Sequence, residues 1–307
     1  KKFQKLENRK LKILFQKKMK RKLHKIAKDT NSFLKKYLKL QKKTDLLKAM
    51  SYGLLPGGKK IRSKILVDVG KIFNINYNVL IQIGAAVECI HAYSLIHDDL
   101  PCMDNDNLRR GRLSTHKKFG EFTAILAGNS LLTLAVEILT DNNLKINNKS
   151  KVYLASFISK SSGHEGIAGG QYYDLSFEKK KISLTKILNM QKNKTGKLFG
   201  FCCVAPLLIL SKKKELSKFN KIGEDIGLLF QIADDLIDFR GDKKQAGKKT
   251  RKDLTKGKAT LISLLGYKNT IKYAEKLKLN IFKKIRIYGN KSSDLKETIE
   301  FILNRNR

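Results

Sequence analysis

Apolar residues recur at three- and four-residue spacing along most of the chain, which is the period of amphipathic helices. No alternating pattern typical of strands persists, and no internal repeat is evident. The longest apolar run, Val79 to Ile96, is interrupted by Gln82, Glu88 and His91, which favours a buried helix over a membrane span. The pattern predicts an all-α fold.

The same pattern predicts a single domain. No linker rich in Gly, Ser or Pro divides the 307 residues, and this length can bury one large core. We therefore expect one large helical bundle domain over residues 1–307. Residues 1–50 are expected to contribute one or two lysine-rich helices to it, with Thr30 or Asn31 capping the second.

The chain is strongly basic, with 65 Lys and Arg against 27 Asp and Glu and a formal net charge of +38. Such an excess raises the hypothesis of a nucleic-acid-binding protein. The lysines are spread over nearly the whole chain together with Asn and Ile, as AT-rich codon usage produces, and no basic motif interleaved with aromatics appears. We expect no specific nucleic-acid partner, although the charge alone favours non-specific adhesion to polyanions.

The cysteines and the first segment bear on location. Cys89, Cys102, Cys202 and Cys203 form no CxxC pair and no ligand-like set with the histidines, which indicates reduced thiols in a cytoplasmic protein. The basic first segment is compatible with a transit peptide, but it carries Glu7 and lacks an apolar signal region. A helix of the domain is favoured there.

An acidic cluster stands out in the stretch from Glu88 to Gly111, ECIHAYSLIHDDLPCMDNDNLRRG. An apolar run is followed there by carboxylates and guanidinium groups: Asp98, Asp99, Asp104, Asp106, Arg109 and Arg110. Clustered carboxylates repel one another unless protons or cations intervene, and Mg²⁺ is usually held by a few carboxylates together with substrate phosphates. Arginine side chains suit those phosphates. Because Pro101 cannot continue a helix, we expect the helix to end or kink near Asp98 or Asp99.

A second acidic cluster, QIADDLIDF, places Asp234 and Asp238 four residues apart, on one face of a helix. Either cluster alone is compatible with a solvated acidic helix end. Two such clusters, each following an apolar helix in a chain short of acids, favour a Mg²⁺–diphosphate site built by inward-facing carboxylates.

A basic turn precedes both clusters, in the segment SYGLLPGGKKIRSK. Pro56, Gly57 and Gly58 should break the helix, and Lys59, Lys60 and Arg62 follow directly. Free backbone N–H groups at a helix start favour an anion, so the segment is a candidate phosphate site. A turn with solvated lysines is the alternative.

Together these motifs resemble the trans-isoprenyl diphosphate synthases. GGKKIR, the Glu88–Gly111 stretch, NKTGKL, FQIADDLID and the GKK after it follow the family's order and spacing from about Tyr52 to Thr260, and the final FILNRNR also fits. The likeness is greatest to the bacterial farnesyl diphosphate synthases. It implies an all-α homodimer with a central cavity, and a Mg²⁺-dependent prenyltransferase. The implied reaction condenses dimethylallyl and then geranyl diphosphate with isopentenyl diphosphate, giving farnesyl diphosphate.

The resemblance also implies roles for individual residues. Three Mg²⁺ ions would be held mainly by Asp98, Asp104 and Asp234, assisted by Asp99 and Asp238. The allylic diphosphate would be bound by Arg109, Lys194, Lys248 and Lys258. The diphosphate of isopentenyl diphosphate would be bound by Lys59, Arg62, His91 and Arg110. Near the carbocation would lie Thr195, Gln231 and the carbonyl of Lys194, with Gln171 elsewhere in the cavity.

Product length is expected to depend on Tyr93. It lies five residues before Asp98, more than one helical turn below the metal end, so its ring would form a floor that stops growth near fifteen carbons. In the resembling family an aromatic residue at this position marks farnesyl producers. Ordinary core packing is the alternative for Tyr93, as it is the favoured role for His97.

Some positions depart from the family's pattern. Asn105 and Asn107 stand where close relatives often have aspartates, while the three main ligand positions are intact. Lys60 replaces an arginine and Ser63 a proline, which keeps the charge but is expected to loosen the start of the helix. No group that the chemistry needs is missing, so we expect an active enzyme.

Three other functions stay open at this point. A geranylgeranyl diphosphate synthase would differ in product length. A non-catalytic partner subunit would keep the fold, although the intact Asp98, Asp104, Asp234 and Lys194 speak against it. A basic nucleic-acid-binding protein would show strongly salt-dependent DNA retention and no Mg²⁺-dependent turnover.

Overall fold

A computed structural model describes residues 2–55, 57–178, 180–240 and 260–305. These ranges are helical almost throughout, which confirms the all-α prediction. The helices are α1 (Lys2–Lys39), α2 (Asp45–Leu54), α3 (Ile61–Ile72), α4 (Tyr77–Asp98), α5 (Thr115–Phe119), α6 (Glu121–Thr140), α7 (Asn148–Ser162), α8 (Ile167–Ser176), α9 (Leu184–Gln191), α10 (Lys197–Ile209), α11 (Leu216–Arg240), α12 (Leu261–Leu265), α13 (Tyr267–Ile285) and α14 (Ser293–Leu303). A π-turn (Lys192–Gly196) joins α9 to α10, a hairpin of β1 (Leu108–Arg109) and β2 (Arg112–Leu113) follows α4, and 3₁₀ turns span Lys213–Glu215 and Arg286–Ser292.

The first two helices divide differently from the prediction. Thr30 and Asn31 lie inside α1, which runs on to Lys39, and the cap of α2 is Thr44, whose hydroxyl accepts a hydrogen bond from the backbone N–H of Leu47 at 3.1 Å. The expected cap at Thr30 or Asn31 is therefore wrong. The apolar stripe of α1 continues through this point with helical spacing, and its burial outweighs the capping preference of two polar residues. The buried apolar positions are Met19, Leu23, Ile26, Leu34 and Leu38.

The centre of the bundle is formed by α4 and α10. Helix α4 packs against α3 and α6, while α10 packs against α3, α7 and α11. Among the helices of the described ranges, two, α4 and α6, are long and apolar enough to cross a membrane by length and composition alone. The protein itself buries 89% of that stretch in α4 and 44% in α6. The predicted buried helix over Val79–Ile96 is confirmed.

Helices α10 and α11 approach closely along a seam of glycines. A Cβ added at Gly223 would lie 2.3 Å from the carbonyl oxygen of Phe199, and one at Gly227 would lie 2.6 Å from the Cα of Gly196. Backbone atoms cannot yield as a flexible side chain can, so glycine is required at both positions. The seam includes the last residue of the π-turn, and it fixes that turn against α11.

Ion pairs tie α14 to α1 and α3. Asp294 pairs with Lys22 of α1 at 2.5 Å and with Lys71 of α3 at 2.6 Å. Glu297, one turn later, pairs with Lys18 and Lys22, both at 2.6 Å. The last described helix is thereby held to the first long one.

Candidate active site

The first acidic cluster forms a loop that folds back on the end of α4. The helix ends at Asp98, as Pro101 predicts, and Asp99 is its C-cap. The backbone N–H of Asp104 donates to the carbonyl of Asp98 at 2.8 Å, and that of Asp106 donates to the carbonyl of Asp99 at 3.1 Å. Residues six and seven positions apart are thus brought together by the loop and not by a helical face.

Asp98 lies in a buried environment that disfavours its ionised form. Burial, together with the negative charges of Asp104 and Asp99, raises the pKa of Asp98 to about 6, although Lys194 and Arg109 act in the opposite direction. A carboxyl group in such surroundings binds a proton or another cation readily. This electrostatic state fits a cation site at the end of α4.

Asp99 instead has an ion-pair partner in the protein. It is 2% exposed, and the Nε of Arg109 donates to its two carboxylate oxygens at 2.9 and 3.1 Å, with Nη2 also in contact. Arg109 further lies 3.6 Å from Asp106. The predicted roles of Asp99 toward Mg²⁺ and of Arg109 toward a diphosphate stay predictions, and the structure adds that the two side chains neutralise each other.

The hairpin brings Arg110 to the basic turn. Arg110 and Gly111 connect the strands with φ of 54° and 73°, and two positive φ values are what a type I′ turn requires. Gly57 and Gly58 also have positive φ, at 66° and 82°, and a Cβ at Gly58 would lie 2.9 Å from the guanidinium carbon of Arg110. The Gly-Gly turn therefore leaves room for this guanidinium group.

Arg62 and His91 lie beside it in a buried basic environment. The guanidinium carbon of Arg62 is 4.9 Å from the ring centroid of Phe199 and 5.6 Å from that of Phe230. Its Nε is buried and has no hydrogen-bond partner among the described residues. Burial, followed by the positive charges of Arg62 and Arg110, holds the pKa of His91 well below 6.5. A buried donor without an acceptor, surrounded by other cations, fits an anion site.

The start of α3 is tied to α4. The Nζ of Lys60 donates to the carbonyl of Leu54 at 3.2 Å and lies 3.6 Å from Glu88, whose other carboxylate oxygen accepts from the hydroxyl of Ser63 at 2.9 Å. Lys60 and Ser63 thus contact one buried carboxylate, but Lys60 is the N-cap of α3 with a φ of 48° and no capping hydrogen bond from its side chain. The expectation that these two residues loosen the helix start stays a prediction. Lys59 is half-buried, with its Nζ 5.9 Å from the ring centroid of Phe301.

The NKTGKL motif, residues 193–198, overlaps the π-turn at Lys192–Gly196. Such insertions in helices occur frequently at functional sites, and this one carries Lys194 and Thr195. The Nζ of Lys194 pairs with Asp174 of α8 at 2.6 Å. A Cβ at Gly170 would lie 2.1 Å from the backbone nitrogen of Lys194, so α8 touches the turn directly.

A chain of hydrogen bonds links the π-turn to α11. The hydroxyl of Thr195 donates to the Oε1 of Gln231 at 3.3 Å, and the Nε2 of Gln231 donates to Asp235 at 2.9 Å. Asp235 is 4% exposed and lies 3.5 Å from the Nε2 of Gln191. Sequence reasoning missed Asp235 and Asp174; Asp235 was detectable, because it follows Gln231 at the four-residue spacing of one helical turn.

Three further residues named from the sequence have clear surroundings. Gln171 on α8 is 4% exposed, and neither polar atom of its side chain has a hydrogen-bond partner in the described structure. His97 hydrogen-bonds with the carbonyl of Ile125 at 3.0 Å and lies against Gly128, which fits the packing role expected for it. Tyr93 is buried on α4 with its ring edge-on to His97 at 5.3 Å.

The second acidic cluster lies near the end of α11. Asp234 pairs with the Nη2 of Arg305 at 2.7 Å while its own side chain remains 47% exposed. The guanidinium carbon of Arg305 is 3.8 Å from the ring centroid of Phe230. Asp238 follows one turn later on the same helix. Lys248 and Lys258, named above for the allylic diphosphate, lie outside the described residues.

The donor set suits a hard cation that shares its ligands with a substrate. Within the residues described, no group of three His, Cys, Asp or Glu side chains converges enough to hold a metal ion alone. Mg²⁺ is usually bound through one or two carboxylates plus phosphate oxygens, not in an all-protein cage. Two separate carboxylate sets and the unneutralised Asp98 therefore fit Mg²⁺.

Known proteins resemble this chain over most of its length. The family model described as polyprenyl synthetase matches residues 43–302. A farnesyl diphosphate synthase of Escherichia coli is 38% identical over 86% of this chain and 90% of its own. The apo structure of a farnesyl/geranylfarnesyl diphosphate (FPP/GFPP) synthase from Zymomonas mobilis has a TM-score of 0.84 at 35% identity, covering 93% of this chain and 99% of that one. A Helicobacter pylori geranyltransferase complexed with magnesium and isoprenyl diphosphate has a TM-score of 0.78 at 30% identity, covering 92% and 95%.

Proposed function

This chain belongs to the polyprenyl synthetase family, and from that premise we propose that it is a farnesyl diphosphate synthase. It condenses dimethylallyl diphosphate, and then geranyl diphosphate, with isopentenyl diphosphate. The observation that carries the proposal is the meeting of two opposite environments along α4. Asp98 ends the helix in an acidic loop, while His91, two turns earlier, is surrounded by Arg62 and Arg110.

The basic side of the site binds the diphosphate of isopentenyl diphosphate. Arg62 offers it a buried Nε–H that has no other acceptor, and Arg110 reaches it across the Gly57–Gly58 turn. Lys59 and His91 complete the set. An anion here would favour the protonated form of His91, which burial and the surrounding cations otherwise disfavour by lowering its pKa.

The π-turn serves the reacting carbon atoms. In the reaction the allylic carbon–oxygen bond breaks, and the double bond of isopentenyl diphosphate attacks the resulting carbocation. A proton then leaves to the released diphosphate. Lys194 and Arg109 bind the allylic diphosphate, Lys248 and Lys258 are proposed to join them, and the oxygens of Thr195 and Gln231 lie beside the cation.

The acidic clusters hold Mg²⁺. Asp98, Asp104 and Asp234 are the main ligands, assisted by Asp99 and Asp238, and three ions per site are proposed. When bound, the ions supply positive charge to the departing diphosphate. Binding at Asp234 requires Arg305 to share or leave its carboxylate, because the two now pair at 2.7 Å.

The protein acts as a homodimer. Phe122, Ile125 and Leu126 form an exposed apolar face on the first turns of α6, at the three- and four-residue spacing of one helical side. No lysine or arginine lies between Lys118 and Lys145 in a chain of net charge +38. A segment without lysine or arginine lowers the repulsion between two copies of so basic a protein. We therefore propose that a second copy of the chain covers this apolar face. The proposed location of the protein is the cytoplasm.

The test is a turnover assay with Mg²⁺, dimethylallyl diphosphate and labelled isopentenyl diphosphate, with products separated by chain length. We expect a dominant C15 product that EDTA abolishes and that Asp98→Ala reduces by about 10²–10³-fold. Asp45→Ala, which removes an exposed acid from α2, is the matched control and should leave turnover unchanged. A folded wild-type sample without product would refute the proposal, and a C20 product would refute the chain length alone.

A further inference from the structure

We propose that Glu224 is a positioning residue that maintains the π-turn and thereby directs Lys194 and Thr195 toward the reacting carbons. The inference rests on the function proposed above for those two residues. Glu224 lies on α11, seven residues before Gln231, and belongs to neither acidic cluster.

Glu224 binds both ends of the turn at once. It is 3% exposed, and one carboxylate oxygen accepts from the Nζ of Lys197 at 2.9 Å while the other lies 3.0 Å from the Nζ of Lys192. Lys192 is the first residue of the π-turn, and Lys197 directly follows its last. The amide of Asn220 donates to the same carboxylate at 3.3 Å.

This contact distinguishes a π-turn from an α-helix. Residues five positions apart on an α-helix point about 140° away from each other, so their side chains cannot easily meet one carboxylate. In a π-turn the backbone bond runs from residue i+5 to residue i, and here the N–H of Lys197 donates to the carbonyl of Lys192. The same two residues are thus joined by their backbones and by Glu224, and the carboxylate favours the wider turn.

The winding of the turn decides where its side chains point. Removing one residue from it would rotate one flank by about 100° relative to the other. Lys194 would then leave Asp174, and Thr195 would leave Gln231. The glycine contacts with α8 and α11 are mainly with backbone atoms and fix the place of the turn, whereas Glu224 binds side chains at both of its ends.

Asp225, the next residue, provides a matched control. It is also buried, at 5% exposed, and also accepts from two lysines, Lys221 at 2.9 Å and Lys284 at 3.0 Å. Its partners lie on α11 and α13, away from the π-turn. Asp225→Asn therefore removes a similar charge and a similar pair of contacts without touching the turn.

The experiment compares Glu224→Gln with Asp225→Asn in steady-state kinetics and in hydrogen–deuterium exchange. We expect Glu224→Gln to lower kcat at least tenfold, to leave KM for isopentenyl diphosphate within twofold, and to speed amide exchange around residues 192–197. Asp225→Asn should change none of these by more than twofold. Kinetics and exchange that match between the two variants would overturn the proposal. Inactive wild-type protein would refute the proposed function instead, and the exchange data would still decide whether Glu224 maintains the turn.

Discussion

At the scale of single residues, unpaired buried polar atoms are informative only in context. Nearly all such atoms in native interiors have a partner, so each exception calls for an explanation. The Nε of Arg62 and the amide of Gln171 lie beside the residues proposed for the cavity, where substrate groups can supply the missing hydrogen-bond partners. The hydroxyl of Thr30 also has no partner among the described residues, yet it lies inside α1, which contributes no residue to either acidic cluster. The surrounding charges, and not the missing bond alone, identify the site.

Tyr93 carries the prediction on product length. Tyr93→Ala should shift the dominant product from C15 to C20 or longer, because removing a buried ring from α4 deepens the apolar side of the cavity. Chromatography of the dephosphorylated products measures the shift. Tyr153→Ala, on the exposed side of α7, should leave the product at C15. An unchanged product from active Tyr93→Ala would make Tyr93 an ordinary core residue.

Residue types and spacing predicted the acidic loop but not its internal pairing. Pro101 was enough to predict the end of the helix, whereas the backbone hydrogen bonds that fold the loop back on that end were not predicted. Arg109 reaches Asp99 because a hairpin with a two-residue turn follows the loop. The sequence pattern did not predict this hairpin. Contacts set by loop geometry between distant residues have no periodic signal.

At the scale of elements, helices were predictable and their interruptions were not. Apolar period identified the buried α4, whereas the KTG segment offered only a weak signal of an irregular turn. The π-turn depends on Glu224, which lies 27 positions from Lys197 in the chain. Windows of local sequence do not contain that information. Lys248 and Lys258 lie outside the described residues, so their roles stay predictions.

The glycine seam gives a stability prediction. Gly223→Ala should lower the free energy of unfolding by about 1–3 kcal/mol, because its Cβ would lie 2.3 Å from the backbone oxygen of Phe199 and force α10 and α11 apart. Urea denaturation followed by circular dichroism measures the change. Gly163→Ala, whose nearest contact would be an ordinary 3.4 Å, should remain within about 0.5 kcal/mol of wild type. Equal losses in both variants would rule out the seam as the cause.

The tie between α14, α1 and α3 should depend on pH. Although burial acts to raise it, hydrogen bonds from Lys22 and Lys71 hold the pKa of Asp294 far below its ordinary 3.8. A lowered pKa stabilises the fold fully above the unfolded value of about 3.9, and this stability is lost as the pH falls below it. Asp294→Asn should therefore cost about 1.5–3 kcal/mol at pH 7, with the difference from wild type narrowing below about pH 4.

Thermal or urea unfolding at several pH values tests this. The exposed pair of Asp45 and Lys48 provides the control, since Asp45→Asn should change stability little at any pH. A difference between wild type and Asp294→Asn that stayed constant down to pH 3 would exclude the ion pairs as its source.

At the scale of the whole molecule, one face should be covered by a second copy. Light scattering after size exclusion should give twice the 35.0 kDa chain mass for wild type and a single chain mass for Phe122→Lys combined with Ile125→Lys. The lysines would place cations on the exposed apolar face of α6, where two copies would then repel each other. Leu279→Lys, equally exposed on α13, should remain a dimer. A monomeric wild type would refute the proposed assembly.

The overall architecture was the easiest part of the structure to predict. What the sequence does not predict about it also has a physical reason. Apolar residues recur at helical spacing over most of the chain, and this pattern predicts an all-α fold. The prediction does not depend on the exact bounds of any single helix. The single domain over residues 1–307 stays a prediction. Association between copies leaves only an indirect trace in the sequence. No lysine or arginine lies between Lys118 and Lys145.

The sharing of acids between lysines has a consequence for how this sequence can change. Three acids each form ion pairs with two lysines: Glu224 with Lys192 and Lys197, Asp225 with Lys221 and Lys284, and Asp294 with Lys22 and Lys71. Mutation toward lysine can accumulate at solvent-facing positions with small individual penalties. The loss of one shared carboxylate, in contrast, leaves two ammonium groups without their partner in a single step. Tolerance to mutation should therefore be lowest at these shared acids, even though the lysines dominate the composition.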